Sequence, residues 1–236
     1  MEDIMADYTG SLTKAADSQR AFINKVYGWM CAGLMITGLV SMYVVSSRQL
    51  IMAIAGNSLL FMGLIFAELG LVWGISGAIN KMSASLATML FVVYSALSGV
   101  TLSIIFLIYT KESIQLTFFI SAGTFGVMAV YGSITKTDLT SVGNLCFMLL
   151  IGLIVASVVN IFLKSSMMYW MITYAGIFIF VGLTAYDAQK IKRMSLVADQ
   201  ADAESFQKGA ILGALALYLD FINLFLMLLR LFGRRR

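Results

Sequence analysis

Seven apolar stretches, each near the length that crosses a bilayer, fill the chain from Val26 to Leu229. They lie at Val26–Val45, Ile51–Ile75, Leu86–Tyr109, Leu116–Ile134, Val142–Leu163, Trp170–Tyr186 and Ile211–Leu229. About 20 apolar residues in a helix span the hydrocarbon of a membrane. The chain is 60% hydrophobic and only 12% charged, whereas soluble domains carry about 25% charge. One core of a 236-residue protein cannot hide that much apolar side chain from water, so the bilayer must act as the solvent. The expected fold is an all-α integral membrane protein, a seven-helix transmembrane bundle.

What remains outside the spans is short. Residues 1–25 form a polar tail with no apolar run of the signal-peptide kind, residues 26–233 the membrane domain, and residues 234–236 a basic tail. The one substantial connection, Asp187–Ala210, holds Lys190, Lys192, Arg193, Asp199, Asp202, Glu204 and Lys208, and is read as a helix extension followed by a turn. Seven spans put the termini on opposite sides. The Lys and Arg residues of the connecting loops favour an N-terminus in the cytoplasm, while the tail Arg230, Arg234, Arg235 and Arg236 opposes it. Six spans and one re-entrant segment would satisfy both, and stand as the alternative topology.

Several chemistries are excluded or narrowed. There is no histidine, which removes the ordinary physiological pH switch and the commonest metal ligand. Proton sensing would have to use carboxylates. Cys31 and Cys146 both sit in apolar runs and read as small buried hydrophobes. The net charge of +4 suits an anionic membrane surface and requires no nucleic acid. The chain has no proline, so helix breaks are expected at glycine or a π-bulge. Ser95, Gly99 and Ser103 form one small-residue ladder and Gly70 with Gly74 a second, both read as helix-packing surfaces.

Three carboxylates stand where the bilayer makes them costly: Glu68, Asp187 and Asp220. A charged carboxylate at mid-membrane costs about 2.5–3.5 kcal/mol on insertion scales. Asp187 also begins a polar stretch and could be merely interfacial, and Glu68 could bond a neighbouring helix for packing alone; Asp220 is the hardest to explain away. At about 1.5 Å per residue, Asp220 lies roughly 14 Å and Glu68 roughly 10 Å from the same membrane face, where Asp187 also sits. The three are therefore expected in one half of the bundle, sharing a polar cavity. Asp220, Asn223, Met227 and Arg230 make a stripe on the last helix, and Thr173, Gly176, Phe180, Thr184 and Asp187 make one on the sixth. Thr184, Asn223, Arg230 and Glu68 are the candidates for an ion pathway. Such hard oxygen ligands suit Ca²⁺, with Asp187 and Asp220 as its ligands.

Leu183–Lys192 (LTAYDAQKIK), Ala216–Gly233 (ALYLDFINLFLMLLRLFG) and Tyr131–Asn144 (YGSITKTDLTSVGN) resemble the Bax inhibitor family, most closely its bacterial members. The likeness covers nearly all of the chain after the tail. It implies seven helices with the last one central, in the bacterial cytoplasmic (inner) membrane. It also implies a pH-sensitive calcium leak, with no bound cofactor, gated by two aspartates that match Asp187 and Asp220. The family pair has a basic partner on the second helix; here Lys81, in a loop, is the nearest cation. Association with a membrane-bound protease, as in some bacterial relatives, is the second functional reading. No enzyme activity is expected. An aspartyl protease would need a GxGD motif, and Asp220 instead follows Leu217, Tyr218 and Leu219. The last span also has no lysine for a retinal Schiff base.

Overall fold

The apolar runs become helices long enough to cross a membrane, seven of them among the described residues. A computed structural model describes residues 2–198 and 201–236, with side chains from residue 14 onward. Asp199, counted in the long connection, lies outside the described residues. The helices are α1 (Glu2–Ser46), α2 (Arg48–Gly56), α3 (Ser58–Ala78), α4 (Ala84–Leu102), α5 (Ile105–Ile108), α6 (Lys111–Ile134), α7 (Thr140–Leu163), α8 (Ser166–Ser195) and α9 (Ala203–Phe232). The last span is one unbroken helix of 30 residues.

Two boundaries differ from expectation. The polar N-terminal segment is helical and continuous with the first span, and its Phe22 is buried edge-on against Phe206. The second apolar run is not one helix. It breaks at Asn57, whose backbone is extended and whose side chain accepts from the Leu60 amide at 3.0 Å. Ser47 caps α2 in the same way. Short polar side chains that bond the backbone locally end a helix as effectively as glycine. Ile51 and Ile54 on α2 then bury themselves against Val44.

The chain forms two units. The first comprises residues up to Ile104 together with Ile191–Leu215, and the second Ile105–Lys190 with Ala216–Arg236. In the first, α1 packs on α4 along the Ser95–Gly99–Ser103 ladder. Thr37 Oγ1 donates to the Ser95 carbonyl at 2.8 Å and Ser41 Oγ to the Gly99 carbonyl at 2.6 Å. A Cβ on Gly99 would lie 2.7 Å from the Thr37 carbonyl oxygen, so only glycine permits this approach. Hydroxyls that bond a facing backbone supply adhesion that lipid cannot replace. The Gly70–Gly74 pair does not pack in this way: nothing lies within 4 Å of a Cβ at either position. Cys31 is exposed, not buried as expected, and Cys146 is buried; neither is in a disulfide.

The connection after α8 is a helix extension to Ser195 and then a turn, as read from its composition. Asp202 caps α9, accepting from the Ser205 amide at 2.6 Å. Those bonds to Ser205 hold the Asp202 carboxyl below its ordinary value of 3.8. A depressed folded value makes the cap fully stabilising above the unfolded value and lost as pH falls through the folded one. The protection of the Ser205 amide, its exchange rate taken against that of an unstructured chain at the same pH, should therefore fall at strongly acidic pH, and in Asp202→Ala it should be low at every pH.

Candidate functional site

The site is built on two antiparallel stripes in the second unit. On α8, Thr173, Phe180 and Thr184 are buried, and on α9, Asp220 and Met227 are buried. The stripes meet at two levels. The Met227 sulfur packs where a Cβ on Gly176 would be, 2.9 Å away. Nearer the α8–α9 turn, the carboxyls of Asp187 and Asp220 come close enough to interact. Asp220 is only 4% exposed, while Asp187 is half-buried. The pairing expected from the sequence is therefore present.

Its surroundings explain the geometry. On α6, a Cβ at Gly132 would fall on the Ala185 carbonyl, and on α7, a Cβ at Gly143 would lie 2.5 Å from the Tyr186 ring. These bare backbones let two helices close on α8 just before Asp187. Gln189 then pins the α6–α7 connection. Its Nε2 donates to the Thr137 carbonyl at 2.8 Å, and its Oε1 accepts from the Leu139 amide at 2.9 Å. Two of the sequence motifs thus meet at Gln189, a residue that pattern reading passed over although it stands two positions after Asp187. The cation that acts on Asp187 is Lys190, one turn along the same helix. Cys146 lies within electrostatic reach of Asp220 and against Gly182.

The other candidates have local partners. Thr184 Oγ1 donates to the Phe180 carbonyl at 2.7 Å, and Asn223 Nδ2 to the Leu219 carbonyl at 2.8 Å. Arg230 stands about 15 Å along α9 from Asp220, over the Tyr169 ring at 5.9 Å. Glu68 belongs to the first unit, where Thr101 Oγ1 donates to it at 2.6 Å across α3 and α4. Among the described residues, no three Asp, Glu or Cys side chains gather as a set that could hold a metal. Removing the hydroxyl in Thr101→Val should cost about 1 kcal/mol of stability, measured by denaturation in detergent. Glu68→Gln keeps an acceptor for Thr101 and should be nearly neutral in the same assay.

One polar atom at the site is conspicuous. Asp220 Oδ2 is buried with no hydrogen-bond partner among the described residues, and Thr117 Oγ1 on α6 is in the same condition. Buried polar atoms normally have partners, water included. The site thus offers a free acceptor beside a carboxyl pair. Two carboxyls supply at most four oxygens, and Ca²⁺ takes six to eight. A calcium ion passing here would keep water in its shell.

The fold and the pair define a class: a polytopic helical membrane protein with neighbouring aspartates on its last two spans. Residues 19–236 match the family model described as inhibitor of apoptosis-promoting Bax1, and the chain belongs to this Bax inhibitor family. It is 50% identical over 226 residues to the inner membrane protein YbhL of Escherichia coli strain K12, covering 96% of this chain and 97% of that one. It is 51% identical over 216 residues to a protein of Borreliella burgdorferi, covering 91% and 92%. A protein of Rickettsia prowazekii is 42% identical over 240 residues, covering 98% and 100%. With seven spans and these relatives, the chain is a multi-pass inner membrane protein.

Proposed function

We propose that this protein is a pH-sensitive calcium leak of the inner membrane, gated at its cytoplasmic end by Asp187 and Asp220. The carrying observation is the buried Asp220 carboxyl set close to that of Asp187 on the neighbouring helix. Two ionised carboxylates so placed repel, and one shared proton lets the carboxyls bond to each other. That proton ties α8 to α9. Its loss leaves two like charges in a site shielded from water. Two unit charges about 4 Å apart repel by about 4 kcal/mol at an effective dielectric of about 20, enough to shift a two-state equilibrium about a thousandfold. The helices then separate, and the same charges attract a cation. Proton and calcium compete for one pair, so each weakens the other's apparent affinity.

Purified protein in liposomes tests this directly. Calcium efflux should exceed that of Na⁺ and K⁺ and rise several-fold from mildly acidic to mildly alkaline pH. Efflux equal to that of empty liposomes at every pH would overturn the reading in favour of an interaction role beside another membrane protein.

A further inference from the structure

We propose that the arginine-rich end of the second unit binds the phosphate of an anionic phospholipid headgroup. Residues 233–236 are held to the α5–α6 connection by their backbone. The Thr110 amide donates to the Arg234 carbonyl at 3.1 Å, and the Arg236 amide to the Ile108 carbonyl at 3.0 Å. Tyr109 and Arg235 form an antiparallel bridge, and the Arg234 amide donates to Ser113 Oγ at 3.0 Å. This anchoring leaves the side chains of Arg234, Arg235 and Arg236 exposed at fixed positions.

The charges there are unbalanced. Arg235 donates to the Tyr169 hydroxyl at 3.2 Å, with its guanidinium 6.0 Å from the ring centroid, and Arg230 stands 5.9 Å from the same ring. An aromatic face returns about 0.5–1 kcal/mol to an exposed cation, too little to hold two like charges beside one ring without an anion. Among the described residues no carboxylate pairs with Arg230, Arg234, Arg235 or Arg236. Exposed Lys111 opens α6, exposed Lys164 caps the end of α7, and the acidic Glu112 follows Lys111.

The position selects the anion's carrier. Trp170 and Tyr174 are exposed and stacked 6.1 Å apart next to Tyr169. Tryptophan and tyrosine concentrate at headgroup depth. Phe232, more than half exposed two residues before Arg234, offers apolar surface beside the arginines. A phospholipid supplies both partners, phosphate for the guanidinium forks and acyl chain for the rings; a free phosphate supplies only the first.

Native mass spectrometry of the full chain, purified in detergent and exposed to equal phosphatidylglycerol and phosphatidylcholine of matched chains, tests the site. Phosphatidylglycerol should be retained in clear excess. Each arginine removed should reduce that excess about fivefold, from about 1 kcal/mol per basic residue near an anionic surface. The triple variant Arg234→Gln, Arg235→Gln, Arg236→Gln should approach parity while its melting temperature shows it folded; Arg236→Gln alone serves if the triple variant is unstable. Equal retention of both lipids by the natural chain would overturn the proposal. So would a preference that survives the substitutions. Displacement of the lipid by an equal concentration of soluble glycerophosphoglycerol would also overturn it, in favour of a free phosphate ester.

Discussion

Asp220→Asn should flatten the pH dependence of calcium flux. Asparagine has nearly the shape of aspartate, and its amide can donate to the Asp187 carboxylate at any pH. The α8–α9 tie then no longer depends on a proton. In the natural chain, release of one proton coupled to opening changes the open population by up to about tenfold per pH unit. The variant should hold flux constant within about twofold across the same range, at the low level of the tied state. Asp187→Asn should behave alike, because the bond needs only one donor, although the half-exposed Asp187 leaves more water in the site. Liposome flux at a series of pH values checks both. If the two variants each keep the natural pH profile, the carboxyl pair is not the gate.

The largest stability effect is expected from a single methyl group. A Cβ at Gly132 would fall on the Ala185 carbonyl, a backbone atom that cannot rotate away. Overpacking of this kind typically costs about 1–3 kcal/mol, and Gly132→Ala should reach about 3 kcal/mol because only movement of α6 from α8 relieves it. Ala185 stands two residues before Asp187, so the same displacement should loosen the carboxyl pair and raise flux at acidic pH. Gly70→Ala is the matched comparison. Nothing lies within 4 Å of its Cβ, and it should stay within about 0.5 kcal/mol of the natural chain. Denaturation of both variants in the same detergent decides the matter, and equal stability would refute this account of the helix contact.

The two glycine sites mark the boundary between what sequence dictates and what packing decides. Both small-residue ladders look alike along the chain, since a small residue permits close approach without compelling it. Ser95 and Gly99 found a partner because α1 presents Thr37 and Ser41 to their carbonyls. Gly70 and Gly74 face open space. The break at Asn57 was hidden for a related reason. One asparagine inside an apolar run looks like a tolerated polar residue until its side chain is seen capping the next helix.

Length, composition and the cost of charge in lipid determined the class of fold and the seven spans, and singled out Asp187 and Asp220. Those follow from the solvent, which acts on each segment by itself and leaves its mark in the residues. Depth along a helix was also readable, and it put the two aspartates in one half of the bundle. Rotation about the helix axis was not readable, because a helix hydrophobic on all sides has no preferred face. Tertiary structure alone therefore decided that Glu68 turns to Thr101, that Gln189 clamps the α6–α7 connection, and that Lys190 is the cation beside the pair. It also decided that the arginine tail lies bridged to Tyr109, since backbone hydrogen bonds between distant segments carry no side-chain signature.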